Sequence, residues 1–305
     1  MSAQLPGETL AASDEAAPGG GSLAGRWLNR PVLRRRRVPR GRVAVVLAVA
    51  FLLLVAGWAL FPGLFAGSPT TINPLLTLRA PGAGSFLGTD QYGRGIWAQL
   101  VYGTRPALAV GIFSTLLGGL VGSAIGIIGG YVGGWTDTIV MRLIDILLAL
   151  PGLFLALIFI AALPRTLTNE IIAIGVSIVP GFARVLRGQA LQVRSQPFTE
   201  AAIVLGIRRS VIVWRHVIPN CLAPAVVLAT FSVGTSIVIA ASLSFLGLGP
   251  AEKVLSWGGL LASGQGYIDK DWWISTFPGL TVTLLVIAVS ILGDKLRDVM
   301  EPGHG

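Results

Sequence analysis

The sequence predicts an all-α membrane protein with six transmembrane helices, and three observations carry that expectation. Only 12% of the 305 residues are charged while 53% are hydrophobic, about half the charge that a soluble domain carries. The apolar residues gather in runs of about twenty, the length that crosses a bilayer core as a helix. The basic residues flank those runs and favour one alternating set of the segments between them, the pattern by which Lys and Arg set membrane orientation.

Taken in order, residues 1–25 are rich in Ala, Gly, Ser and Pro without apolar periodicity, which predicts a disordered tail. Residues 26–42 form a basic juxtamembrane segment from Arg26 to Arg42, suited to anionic lipid. The membrane domain follows over 43–302, with helices expected at 43–61, 107–128, 138–163, 171–186, 222–246 and 277–292. The first run exceeds the roughly 7–15 residues of a cleavable signal core, and no Ala-x-Ala site follows, so a retained anchor is expected. The fourth run is short and interrupted by Pro180 and Gly181. With the amino terminus in the cytoplasm, 17 Lys and Arg fall on inside segments or beside them and 6 outside, so both termini are expected to be cytoplasmic. Segment 62–106 then lies outside and segment 187–221 inside.

Several function classes are excluded. The arginines flank apolar runs instead of forming a basic surface for nucleic acid. Cys221 is the single cysteine, so there is no internal disulfide and no cysteine-based metal site. A phosphate-binding loop needs Gly-Lys, but Lys253, Lys270 and Lys295 follow Glu252, Asp269 and Asp294. Two histidines, His216 and His304, and no His-Glu-x-x-His leave no catalytic or metal set. A self-sufficient secondary transporter would carry internal repeats or ionisable groups at mid-membrane. Asp145 is the sharpest polar intrusion, and Arg142 three residues earlier predicts an ion pair near the inner interface.

The inside segment 187–221 is the most informative. Thr199 is suited to cap a helix, with Glu200 in its first turn favoured by the helix dipole. The small Ala201 and Ala202 permit close approach, Gly206 breaks or bends the helix, and Pro219 marks the start of the next span. The residues alone fit two readings, an amphipathic helix lying at the interface and a knob for a groove on a cytoplasmic partner.

Glu200-Ala201-Ala202, Gly206, Arg215-His216 and Pro219-Asn220 resemble the signature loop of ABC importer permeases. In this form they resemble the dipeptide/oligopeptide/nickel permease family, in its second or C-type subunit. Three further segments are similar to that family. They are Leu87-Gly88-Thr89-Asp90 with Gly93-Arg94 and Tyr102-Gly103, then 243–249 with Ser256-Trp257-Gly258, then 292–298 with Glu301-Pro302. Gly95, where relatives carry an acid, the 251–254 segment, where they tend to be Pro-rich, and the long leading tail depart from the pattern.

The resemblance implies the type I ABC importer permease fold and a chain that is not itself an enzyme. It implies a second homologous permease subunit, two ATPase subunits that bind the ATP and Mg, and an extracytoplasmic solute-binding protein. This chain would hold no cofactor. Glu200, Ala201, Ala202, Gly206, His216, Pro219 and Asn220 are then the ATPase-coupling residues. The implied cargo is a di- or oligopeptide, with a nickel chelate or other small solute as the alternative.

Two stripes remain. Gly118, Gly122, Gly126, Gly130 and Gly134 recur every fourth residue, a row for close helix packing within the subunit or for a moving interface with the second permease. Ser232, Ser236 and Ser244, with Thr235 beside them, are a candidate lining of the translocation path, or hydroxyls bonded to their own preceding turns.

Overall fold

The computed structural model describes residues 40–82, 84–251 and 254–300. The expected disordered tail, most of the basic segment, Glu252, Lys253 and the Glu301-Pro302 pair lie outside them. Among the described residues, five helices are long and apolar enough to cross a membrane, and one sharply bent pair passes the same test together, making six if the pair counts as one span.

Helix α1 (Arg40–Leu60) is apolar on nearly every side, as a lipid-facing span requires. Its Val55 and Trp58 join a core cluster, and the short α2 (Pro62–Phe65) follows. Helix α3 (Ile96–Val132) starts well before the expected 107 because Pro106 sits inside it. Proline removes one helical hydrogen bond, a loss that membrane helices tolerate when neighbours re-satisfy the freed group.

The expected third span is two helices, α4 (Gly134–Leu148) and α5 (Gly152–Ala161), bent by 93°. Pro151 stands at the break with extended backbone, and a proline also biases the residue before it away from helix. The expected short, interrupted fourth span is instead one helix of 28 residues, α6 (Leu167–Arg194). Thr166 caps it by accepting from the Asn169 N–H at 3.2 Å, and Pro180 is absorbed in its interior.

After α7 (Pro197–Val204), helix α8 (Arg209–Ile212) runs through a π-helical turn (Val213–Val217) into α9 (Ile218–Phe245). Helices α10 (Trp257–Gly264) and α11 (Trp273–Met300) complete the chain.

The central seam joins α3 to α6. A Cβ on Gly122 would lie 2.5 Å from the Val179 carbonyl oxygen, and one on Gly130 2.7 Å from that of Arg187. Gly118 and Gly126 approach the carbonyls of Gly175 and Ala183 more closely still. Two backbones with matching four-residue rows thus meet where side chains would hold them apart. Gly134, the fifth expected member, is not in the row. It begins α4 at φ +81° with open space around it.

The end of the bundle remote from α7 is closed by residues 62–82 and 84–95. Buried Asp90 accepts from the Tyr92 and Arg94 N–H groups at 2.9 Å, from Arg94 Nε at 2.7 Å and from Gln99 Nε2 at 3.0 Å. Trp273 Nε1 donates to the Thr89 carbonyl at 3.1 Å, tying this cap to α11. Trp257 Nε1 donates to the Leu100 carbonyl at 3.0 Å, and a Cβ on Gly103 would meet Trp257 at 2.9 Å. The Gly-Thr-Asp, Tyr-Gly and Ser-Trp-Gly motifs are therefore parts of one packed end.

The expected Arg142–Asp145 pair is replaced by one between helices. Asp145 Oδ1 lies 3.2 Å from Arg184 of α6. A tertiary partner outcompetes the neighbour one turn away because α4 lies along α6.

Candidate coupling site

Helix α6 leaves the bundle at Arg194 and the chain turns at once into α7. Pro197 starts α7, where a missing N–H costs nothing and the fixed φ suits a first turn. Gln196, not Thr199, is its N-cap residue. Thr199 is fully buried and donates its hydroxyl at 2.8 Å to the Val193 carbonyl in the last turn of α6. That bond pins α7 to the end of α6. Glu200 is in the first turn and exposed, as expected.

A Schellman closure ends α7. The Ile207 N–H reaches the Ala202 carbonyl at 3.1 Å and the Gly206 N–H reaches Ile203 at 3.0 Å. Gly206 has φ +74°, and a Cβ there would meet nothing within 4 Å. Glycine is needed for its backbone, since the left-handed conformation is strained for other residues.

The two faces of α7 differ. Ala202 is buried in a cluster with Leu186, Ala190 and Val193 of α6 and Ile212 and Val217 beyond the loop. The expected pair of small outward residues is thus corrected to Ala201 alone. The outer face carries Glu200 and Ala201 together with Phe198, Ile203, Val204 and Leu205, the last two 87% and 79% exposed. Trp214 is exposed nearby. Sequence reasoning passed over these apolar residues. Their signal was an apolar Val204-Leu205 pair on a short helix outside every span.

His216, Pro219 and Asn220 form the other side of the loop. Pro219 has no N–H, so one α-helical bond is lost, and the Ile218 N–H bonds one residue further back to Val213. Asn220 Nδ2 donates to the His216 carbonyl at 2.7 Å. The His216 ring packs on Phe198 with centroids 5.8 Å apart, bringing the start of α9 against the start of α7. Of the residues expected to couple, Ala202 and His216 support α7, Glu200, Ala201 and Gly206 lie on its open side, and Pro219 and Asn220 stand at the start of α9.

Of the expected polar stripe on α9, Ser232, Ser236 and Ser244 are buried, and Thr235 is exposed. Ser236 Oγ lies 3.5 Å from Thr115 Oγ1 of α3. The Thr235 hydroxyl donates to the Phe231 carbonyl, the local alternative considered for such residues. The open side of α9 also presents Val238 and Phe245, bordering a cleft of about 470 Å³ against Gly279 and Thr283 of α11. Buried Glu170, in the first turn of α6, borders a cavity of about 30 Å³ with Ser244 and Trp257, room for a water or two.

A family model described as "Binding-protein-dependent transport system inner membrane component" matches residues 122–304. The chain is 36% identical to a dipeptide transport system permease protein of Alkalihalophilus pseudofirmus, covering 88% of each chain. It is 36% identical to a glutathione transport system permease protein of Pectobacterium atrosepticum over 88% of this chain and 89% of that one. The corresponding Escherichia coli protein is 39% identical over 73% of each.

Proposed function

Since the chain belongs to the binding-protein-dependent transport system inner membrane component family, a family of multi-pass permease subunits of ABC transporters, we propose that it is one of two permeases lining the path of a peptide importer, driven through α7. The α7 end faces the cytoplasm in this reading, with both termini on that side. The bias of Lys and Arg toward the segments at that end supports this orientation.

The observation that carries the reading is the state of α7. It is short, fixed to α6 by Thr199, closed by Gly206, and apolar on the side that no described part of this chain covers. An exposed apolar face on a rigid helix fits a groove on a partner better than it fits water. The partner in this reading is an ATPase subunit, one for each permease, and those subunits hold ATP and Mg. Closure of the ATPase pair would then move α6 and α9, which meet at the same buried cluster. A solute-binding protein delivers cargo to the capped end. Relatives named for dipeptide and glutathione transport support a small peptide as cargo.

Purification of the chain from its native membrane tests the reading. Two ATPase subunits and a second permease are expected to co-purify. Solute transport by this chain alone, with no nucleotide, would sink it.

A further inference from the structure

We propose that α4 is clamped to the coupling arm by an ion pair, Asp137 with Arg187, so that these two are positioning residues carrying the displacement of α7 to the break at Pro151. The proposal rests on the reading of α7 as the ATPase-docking helix. Arg187 donates from Nε to Asp137 Oδ1 at 2.8 Å and from a terminal nitrogen to Oδ2 at 2.6 Å. This is the two-pronged geometry in which arginine holds a carboxylate in a fixed orientation. Asp137 is only 7% exposed, so its carboxylate is largely withdrawn from solvent, while Arg187 is 32% exposed.

Both ends of this link are built for it. Gly129 of α3 leaves the space that Asp137 fills, since a Cβ there would lie 2.8 Å from Asp137 Oδ1. Arg187 is fixed by its own backbone, which is seated against Gly126 and Gly130 of α3. It stands seven residues before Arg194, about 10 Å along the helix from the end of α6. Thr199 and the cluster around Ala202 join α7 to that same last stretch of α6.

Among the described residues, little else holds helix α4. Its apolar contact is a small patch of Met141 and Ile144 against Ala183 and Ile125. Trp135, Ile139, Leu143 and Ile146 are exposed, and a groove of about 410 Å³ separates α4 from the inner part of α3. Asp145 with Arg184 adds a second pair, but both its members are well exposed and it is the weaker tie. A helix held mainly by one directional ion pair follows the motion of its partner, and the 93° break at its far end is where that motion must be absorbed.

The test uses the whole complex in proteoliposomes, with the binding protein purified carrying its endogenous ligand as the stimulus. Asp137→Asn is expected to leave basal ATP hydrolysis per complex within about twofold while stimulation by the binding protein falls about tenfold. Arg187→Lys keeps the charge but loses the fork, and should lower stimulation by a smaller factor. The exchange Asp137→Arg with Arg187→Asp should restore at least about half of the stimulation. Asp145→Asn should change it less than about twofold. A purely structural role would lower the amount of complex recovered and leave stimulation per complex unchanged. That result, in Asp137→Asn or in Arg187→Lys if the former fails to assemble, overturns the clamp. Absence of any stimulation in the unsubstituted complex would overturn the docking reading and the clamp with it.

Discussion

Gly122 of α3 lies so close to Val179 of α6 that a Cβ on the glycine would stand 2.5 Å from the valine carbonyl oxygen. The two helices that frame the subunit are thus joined backbone to backbone, without side chains to cushion the contact. In a membrane, where burial of apolar surface gives no advantage over lipid, such close packing is a main source of helix association.

Gly122→Ala is therefore expected to destabilise the detergent-solubilised subunit by roughly 1–3 kcal/mol, as overpacking does. Gly188→Ala, in the same α6 but with no atom within 4 Å of the new methyl, should cost less than about 0.5 kcal/mol. Thermal unfolding of the two variants compares them directly. Equal stability would contradict the seam.

The expected four-residue row in the sequence exposed this seam, and hydropathy exposed α1, α9 and α11. Other features were hidden for physical reasons. Pro106 and Pro180 read as boundaries, yet helices in a bundle absorb a proline when the freed carbonyl finds another partner. Pro151 breaks a span that composition alone makes continuous, because apolar content says nothing of direction. Ala202 looked like Ala201 until Pro197 set the start of α7 and hence its face. The pairs Asp137–Arg187 and Asp145–Arg184 join residues far apart in the chain, and only packing of α4 on α6 creates them.

At Gly206 the reason for glycine is conformational, and the substitutions rank accordingly. Gly206→Asn, which tolerates the left-handed region, should retain most of the stimulated ATP hydrolysis in the reconstituted complex. Gly206→Ala should lose part of it, and Gly206→Val most of it. Membrane insertion should be the same in all three. A ranking by side-chain volume alone, with Asn as damaging as Val, would contradict the backbone account.

Thr199→Val removes the hydroxyl that fixes α7 to Val193 while keeping its shape. The net cost of one such bond is about 1 kcal/mol, too small to prevent folding. The expected effect is local. Protease cleavage between Arg194 and Arg208 should accelerate severalfold, a measure of the looser attachment of α7. Unchanged cleavage would mean that the bond does not hold the helix.

On α9, burial separates residues that share a stripe in the sequence. Ser236→Ala is expected to leave the relative uptake of different dipeptides unaltered, because Ser236 faces Thr115 inside the subunit. Thr235→Ile alters the open face and should change that uptake by a factor of about two or more. Competition between labelled dipeptides in whole cells reads both variants. The reverse ranking would place the path on the buried side.

The central claim is that work reaches this permease through the outer face of α7. ATP-driven uptake of the binding protein's own ligand into proteoliposomes, with and without Leu205→Asp, tests it most directly. Leu205 is exposed and touches no buried cluster of this chain, so the substitution spares the fold and places a charge where an apolar groove is expected. The expected result is a correctly inserted subunit from which the ATPase dissociates and in which uptake falls at least about tenfold. Uptake at the unsubstituted rate, with the ATPase still bound, would contradict it.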